Sequence, residues 1–491
     1  MGRVLHPRGR PPSTHPASDV TASPRPDPDA PIVCKFGGSS LADADQLRKV
    51  RDIVAAEPRR RYVVPSAPGK RTPDDRKVTD LLYLCHEHAR QGLAFDSVFE
   101  LVAERYRAIA AELRLSLDLP GLLDEVRQGI GAAAKDGARP DYAASRGEYL
   151  HGRLIAEYLG VTFVDAADMI FFDPRGRLDE NKTYPAVAKR LESLERAVVP
   201  GFYGLSPDGS VKTFSRGGSD VTGAIVARGV GASVYENWTD VSGLLMADPR
   251  VVDTPRAMDR VTYRELRELS YMGASVLHEE AIFPVRAAGI PVHIRNTNQP
   301  DVPGTRIVPF DAAEVDRPLL IAGVAGRRDF TVIAIEKAMM NAELGYGRRV
   351  LDVLERHGIS FEHMPSGIDT LSVVVEDAQL EGKLEAVLEE LQVECKPDSV
   401  EVDPDMALVA TVGHGMSRKT GTAARLFTAL AEAGVNIRMI DQGSSELNII
   451  VGINAADYEA AVRAIYAAFT VEPVAPPASP IHATQTGTSP A

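Results

Sequence analysis

Residues 32–36 form a short apolar run that stops at the pair Gly37–Gly38, which predicts a strand running into a turn. Leu47, Val50 and Val54 then recur at helical spacing, with Ser39 and Ser40 as the expected caps of that helix. The alternation continues with a strand at 62–64, helices over 79–90, 96–113 and 145–159, and a strand at 162–165. A strand at 198–201, a helix over 220–228, a strand at 232–237, a helix over 263–271 and a strand at 292–295 follow. Strands that alternate with helices imply an α/β fold whose mostly parallel sheet is covered on both faces.

From about residue 318 the texture changes to two shorter units. Arg349, Val350, Leu354, Gly358, Ile359 and Gly367 align without a gap on Arg425, Leu426, Leu430, Gly434, Val435 and Gly443, and residues 371–375 align on 447–451 at the same offset. A constant period of this kind marks an internal repeat, here two small α+β units, and two copies suggest pairing. The ends read differently: residues 1–30 hold seven of the 34 prolines and residues 471–491 hold five, so both stretches are expected to be disordered tails outside the fold.

The length of 491 residues fits roughly three domains at about 150 residues each. The formal charge of −13 carries no long basic block, which excludes a nucleic-acid partner on charge grounds, because phosphate neutralisation needs clustered cations. An anionic substrate must then be held by a few local cations, so Lys and Arg beside glycine turns become informative. The only cysteines, Cys34, Cys85 and Cys395, lie far apart, and no run of 18 apolar residues exists. These features point to a reduced, cytoplasmic protein without a disulfide framework, a zinc cluster or a membrane span.

Three stretches offer chemistry. In KFGGSS (35–40), free backbone N–H groups at a Gly-Gly bend suit a phosphate, and Lys35 stands one residue before the bend to reach the same group; a plain structural turn is the competing reading. In SRGGSD (215–220), Arg216 beside two glycines suits a carboxylate or phosphate, although Ser219 or Asp220 also reads as a helix cap. In ENWTDVSGLLMADPR (236–250), Thr239, Asp240 and Gly243 follow a strand end, where parallel sheets bind ligands; a surface turn closed by Asp248-Pro249 is the bland alternative. Neither the G-x-x-x-x-G-K-[ST] loop nor the protein-kinase motif set appears.

Taken in order with LSYMGASVLHEEAIFPV and IPVHIRNTNQPDVPGT, these stretches resemble the aspartate kinase family over nearly the whole body of the chain. The resemblance implies an amino-acid-kinase domain over 31–310, a three-layer α/β/α sandwich. Two ferredoxin-like ACT domains would follow, over 318–398 and 404–470. It implies transfer of the γ-phosphoryl group of MgATP to the β-carboxylate of L-aspartate, with no metal held by the protein itself. By motif position Lys35 and Asp220 are catalytic, and Ser66, Thr79, Glu148, Arg216 and Ser219 hold aspartate. Lys35, Gly37, Gly38, Ser39, Thr239, Asp240, Arg250 and Ser275 serve the nucleotide. Met340, Gly345, Glu362 and Ser366 match a pocket for a lysine or threonine effector, and the ACT pair implies at least a homodimer. His151, His278 and His293 lie near these motifs and read as structural, since transfer to a carboxylate removes no proton. Ser275 stands where many relatives have Lys, and Leu245 where a Tyr is common. Those two departures motivate the alternative of a non-catalytic amino-acid sensor with a nucleotide-binding pseudokinase domain, while retention of Lys35, Arg216 and Asp220 favours the enzyme.

Overall fold

The computed structural model describes residues 27, 29–215, 217–274, 279–310, 319–417 and 419–470. Arg216, Ser275, His278 and the expected tails, apart from residues 27, 29 and 30, lie outside them.

The first half follows the alternation read from the sequence. It contains β1 (Ile32–Phe36), α1 (Ala44–Ala55), β2 (Arg60–Pro65), α2 (Val78–Arg90), α3 (Asp96–Leu113), α4 (Leu119–Lys135), α5 (Asp141–Leu159), β3 (Thr162–Phe163) and α6 (Glu180–Glu192). Next come β4 (Ala197–Val198), β5 (Tyr203–Leu205), β6 (Val211–Thr213), α7 (Gly218–Gly229), β7 (Val234–Thr239), β8 (Arg260–Thr262), α8 (Tyr263–Tyr271), α9 (Glu279–Ala287), β9 (Val292–Asn296) and β10 (Thr305–Val308). Among the described residues the main sheet runs β3-β4-β2-β1-β7-β9-β10-β8, parallel throughout except where β10 meets β9.

Alternation along the central strands sends side chains into two separate cores. Cys34 and Phe36 of β1 and Trp238 of β7 pack with α1 to α5, whereas Val33 and Tyr235 pack on the opposite face with α6 to α9. Helices thus cover both faces, the expected three-layer sandwich.

Two caps differ from expectation. Residues 38–41 form a short 3-10 turn, and Asp43 caps α1 by accepting the Gln46 N–H at 2.9 Å. Ser40 instead is buried and meets the Thr297 hydroxyl at 2.8 Å. At α7 the position before the helix is Gly217 in a left-handed conformation, which puts Ser219 and Asp220 inside the first turn instead of at its cap. The gap between α3 and α5, for which the sequence suggested no element, holds the seventeen-residue helix α4; Pro120 fits its first turn, where no N–H partner is needed.

The second half contains β11 (Gly323–Glu336), α10 (Tyr346–Arg356), β12 (Thr370–Glu376), α11 (Asp377–Leu380), α12 (Leu384–Cys395), β13 (Ser399–Val412), α13 (Thr422–Glu432), β14 (Ile437–Asp441), β15 (Asn448–Asn454) and α14 (Tyr458–Thr470). Its antiparallel sheet runs β12-β11-β13-β15-β14. The helices α10 and α13 stand 76 residues apart, each entered from a left-handed glycine, Gly345 or Gly421, so the repeat in the sequence is a repeat in the fold.

The two units interlock. The long strand β11 pairs its end (332–336) with 399–403 and its beginning (323–327) with 408–412, so residues 323–327 complete the sheet of the second unit. One core gathers the later part of β11 with α10, β12 and α12, while Val324, β15, α13 and α14 join the core beneath α8 of the first half. Glu268 on α8 accepts from the Asn448 side chain at 2.7 Å, and Glu265 accepts the His414 N–H at 2.8 Å.

Candidate active site

The carboxyl ends of β1, β2 and β7 converge where β1 breaks into the Gly37–Gly38 turn. Lys35, one residue inside the strand, is 8% exposed, and its ammonium lies 2.6 Å from Asp220 Oδ1 in the first turn of α7. An ion pair so poor in solvent is strengthened by the low local dielectric. A negative charge in the first turn of a helix also gains from the helix dipole. The same Asp220 oxygen accepts from Asn237 Nδ2 at 2.7 Å, and Tyr235 donates its hydroxyl to the Asp220 carbonyl at 3.1 Å. Neither Asn237 nor Tyr235 stood out in the sequence, because their role appears only once α7 is laid over β7.

The Gly-Gly turn is pressed by a second segment. Gly69 donates its N–H to the Gly38 carbonyl at 2.8 Å, and a Cβ on Gly69 would come within 2.4 Å of Gly38 C and O. Arg105 fixes this segment by reaching the Gly69 carbonyl at 2.6 Å and Asp75 at 3.1 Å. No flexible side chain is available to yield at Gly69, since the clash is with backbone. Gly69→Ala is therefore expected to displace the turn and lower kcat/KM for the nucleotide roughly 10–100-fold, by the misplacement argument, in steady-state kinetics. An unchanged value would show that the turn does not position the reacting phosphate.

On the β2 side, the Ser66 N–H donates to the Phe36 carbonyl at 3.1 Å, and the Ser66 carbonyl meets His151 Nδ1 at 2.8 Å. Burial pushes His151 down to about 4, so this imidazole is a neutral brace for the turn. Glu148, one helical turn earlier, is 5% exposed and takes the Ala67 N–H, while its Oε2 is buried without a partner. Burial pushes its carboxyl up to about 8 despite the Ala67 hydrogen bond. A buried carboxyl oxygen without a partner calls for an explanation, and a shifted carboxyl of this kind is a candidate for ligand contact. Ser219 lies beside Gly201, where a Cβ would come within 2.6 Å of its hydroxyl, and Gly201 in turn donates to the Pro65 carbonyl at 3.1 Å. Thr79 sits half-buried in the first turn of α2.

On the β7 side, the Thr239 carbonyl accepts the Thr297 N–H at 2.8 Å, and Asn296 Nδ2 bonds the Asp240 carbonyl at 3.3 Å. Arg250 is not gathered with them. Its side chain is 87% exposed, grips Asp248 two residues away at 2.6 Å, and makes no hydrogen bond to Thr239 or Asp240 among the described residues. The adjoining loop touches the second repeat unit instead, where Arg463 reaches the Val251 carbonyl at 2.8 Å.

Beneath these strand ends, on the face opposite Lys35, Arg60 holds Glu236 with two hydrogen bonds of 2.8 and 3.1 Å, and Trp238 Nε1 adds a third at 2.9 Å. Burial works to raise the Glu236 carboxyl, but these donors hold it below its ordinary value. This cluster ties β2 to β7 across β1 and so fixes the register on which the site depends.

Of the effector candidates, Met340 is buried, Gly345 precedes α10, and the Glu362 N–H donates to the Val374 carbonyl at 2.8 Å. The 337–345 loop and the 366–370 turn are joined where the Asn341 N–H donates to the Ile368 carbonyl at 3.1 Å. The Glu362 carboxylate accepts from Tyr271 at the end of α8; partial burial and then Glu362 push that phenol up to about 12.

The amino acid kinase family matches residues 30–296, and an ACT domain model matches residues 409–469. Aspartokinase 3 of Bacillus subtilis is 40% identical over 451 residues, covering 89% of this chain and 98% of its own. The crystal structure of Clostridium acetobutylicum aspartate kinase superposes with a TM-score of 0.82 at 54% identity, over 90% of this chain and 99% of that one. E. coli aspartokinase III, solved with aspartate and ADP, superposes at 0.65 with 27% identity over 89% and 99% of the two chains. Solved with lysine and aspartate, it gives 0.67 at the same identity, over 90% and 100%. A likeness that runs through both halves, and through nearly the full length of each relative, makes this chain a member of the aspartokinase family.

Proposed function

We propose that the Lys35–Asp220 pair at the Gly37–Gly38 turn is where this aspartokinase moves the γ-phosphoryl group of ATP onto the β-carboxylate of L-aspartate, giving 4-phospho-L-aspartate. The observation that carries this reading is a nearly buried ammonium held by one carboxylate at the carboxyl edge of a parallel sheet, beside the Gly37–Gly38 turn, where the Gly37 N–H goes to the Trp238 carbonyl at 2.9 Å and leaves Gly38 to face the phosphates. In a loose phosphoryl-transfer transition state, charge spreads over the equatorial oxygens, and placement of cations supplies most of the rate. Lys35 neutralises that charge, Gly37, Gly38 and Ser39 line the phosphates, and Asp220 keeps the ammonium aimed.

Glu148 takes the α-ammonium of aspartate and Arg216 its α-carboxylate, with Ser66, Thr79 and Ser219 around them. Thr239, Asp240 and Ser275 serve the nucleotide, and Arg250 joins them by exchanging Asp248 for a phosphate. Mg²⁺ arrives on the nucleotide and offsets phosphate charge there. The assay is formation of aspartyl hydroxamate from MgATP, L-aspartate and hydroxylamine; absence of product under every effector condition would favour the amino-acid sensor.

The E. coli relative solved with lysine supports lysine, alone or with threonine, as effector in a pocket lined by Met340, Gly345, Glu362 and Ser366. Glu362→Gln is expected to raise the lysine concentration for half-inhibition at least about tenfold through loss of a charged hydrogen bond, with uninhibited kcat unchanged. Equal inhibition in both proteins would remove Glu362 from the pocket. A second copy of the chain covers Leu344, Met339 and Ile368, which are 96%, 69% and 69% exposed. We propose a cytoplasmic location for the enzyme. Separately, none of the described helices is long and apolar enough to cross a membrane.

A further inference from the structure

In the parallel pairing of β1 with β7, Lys35 stands opposite Asn237. Register partners rise on the same face of a sheet, so ammonium and amide lie side by side beneath α7. Both reach one atom: Lys35 Nζ is 2.6 Å and Asn237 Nδ2 is 2.7 Å from Asp220 Oδ1. Asn237 is 3% exposed, so its amide has little water to turn to, and losing this acceptor would be costly. Tyr235, two residues earlier on the same face, fixes the Asp220 main chain by its hydroxyl. The absent side chain of Gly223 makes room for that ring, since a Cβ there would come within 2.6 Å of it. Strand β7 therefore holds Asp220 by its carbonyl and by one carboxylate oxygen.

We infer that Asn237 is a positioning residue for phosphoryl transfer: by occupying Asp220 Oδ1 together with Lys35, it locks the carboxylate orientation that keeps the ammonium at the Gly37–Gly38 turn. The inference rests on the reading of Lys35 given above. A neutral donor suits this task because it restrains a carboxylate without adding charge that would compete for Lys35 or for the nucleotide. Without the amide, the carboxylate is free to rotate and to engage Lys35 with both oxygens, which draws the ammonium away from the turn. Gly37 lies close to the path of that movement, its missing Cβ only 3.7 Å from Lys35 Nζ. Because the consequence falls on the aim of one cation and not on the contacts that hold aspartate, the loss belongs in kcat.

The test uses the full chain with Asn237→Leu, close in volume but without a donor, and with Asn237→Ser should the leucine variant fail to fold. The expected result is a kcat lowered about 10–100-fold, the scale of a small misplacement of a catalytic group, with both KM values within about twofold and the stoichiometry of ADP binding unchanged. In an Asp220→Asn background the same substitution should cost less than about threefold, because the carboxylate through which it acts is gone. The inference is overturned by a kcat within about twofold of the parent, by an equal loss in both backgrounds, or by an ADP stoichiometry that falls in step with kcat. If Lys35→Ala stays active, the reading of the site fails as well; if Lys35→Ala is inactive and the Asn237 cycle is additive, only this inference fails.

Discussion

Lys35→Ala loses aspartyl phosphate formation by about 10³-fold or more in kcat, the scale seen when a preorganised charge at a transition state is removed. Two features of the site set this size. The ammonium is 10% exposed at the side chain, so water does not replace its charge, and no second cation of the described residues contacts Asp220. The fold should survive. Asp220 keeps its Asn237 hydrogen bond and is one-fifth exposed, so loss of its partner costs on the order of 1–3 kcal/mol, less than breaking a fully buried pair. The measurement is single-turnover phosphoryl transfer with saturating MgATP and aspartate, beside a thermal melt. Retention of more than about a tenth of the parental rate would place the decisive cation elsewhere.

Aspartate binding becomes tighter as pH rises from 6 to 8 and then levels off. Burial holds the Glu148 carboxyl at about 8 in the free enzyme, so at neutral pH most molecules carry a proton there. The incoming ammonium requires the carboxylate, and binding therefore expels that proton. Affinity gains up to about tenfold per pH unit below the free-enzyme value and nothing above it. Glu148→Gln should raise the KM for aspartate about 10–100-fold, through loss of a charged hydrogen bond, and flatten this pH dependence. Stability carries the opposite sign. A carboxyl whose folded value is raised from 4.5 to about 8 leaves the native state binding more protons than the unfolded state between those limits. Its contribution to stability thus declines as pH rises through that window. At pH 8 the unliganded glutamine variant should melt above the parent, and below pH 4.5 the difference should vanish. A parental KM that is flat between pH 6 and 8 would remove Glu148 from contact with the ammonium.

Much of this was legible in the sequence wherever the signal is local. An apolar run before two glycines marked strand β1 and the turn at its end. Apolar spacing gave α3 and α8 their observed ends, and a constant offset identified the repeated ACT helices. What stayed hidden depends on residues far apart in the chain. Asn237 reads as the polar end of a strand until α7 crosses above it, and Gly69 reads as a turn residue until its backbone is seen against Gly38. Helix α6 carries Pro185 within it, which breaks its pattern, whereas β3 and β4 lie at the strands expected over 162–165 and 198–201 but are only two residues long. The expected division of the second half at about residue 400 also missed the interlock, because nothing in residues 323–327 says that their pairing partners lie some 85 positions later.

Phosphoryl transfer is expected at the bend after β1, under the Lys35 ammonium. A crystal structure of the enzyme with ADP, aluminium fluoride and L-aspartate tests it most directly, since the planar fluoride marks the position of the group in flight. It should lie within about 3 Å of Lys35 Nζ and of the Gly38 or Ser39 N–H, the Gly37 N–H being held by the Trp238 carbonyl at 2.9 Å, with the aspartate ammonium on Glu148. A fluoride bound away from that bend, with Lys35 still closed on Asp220, would place the transfer elsewhere.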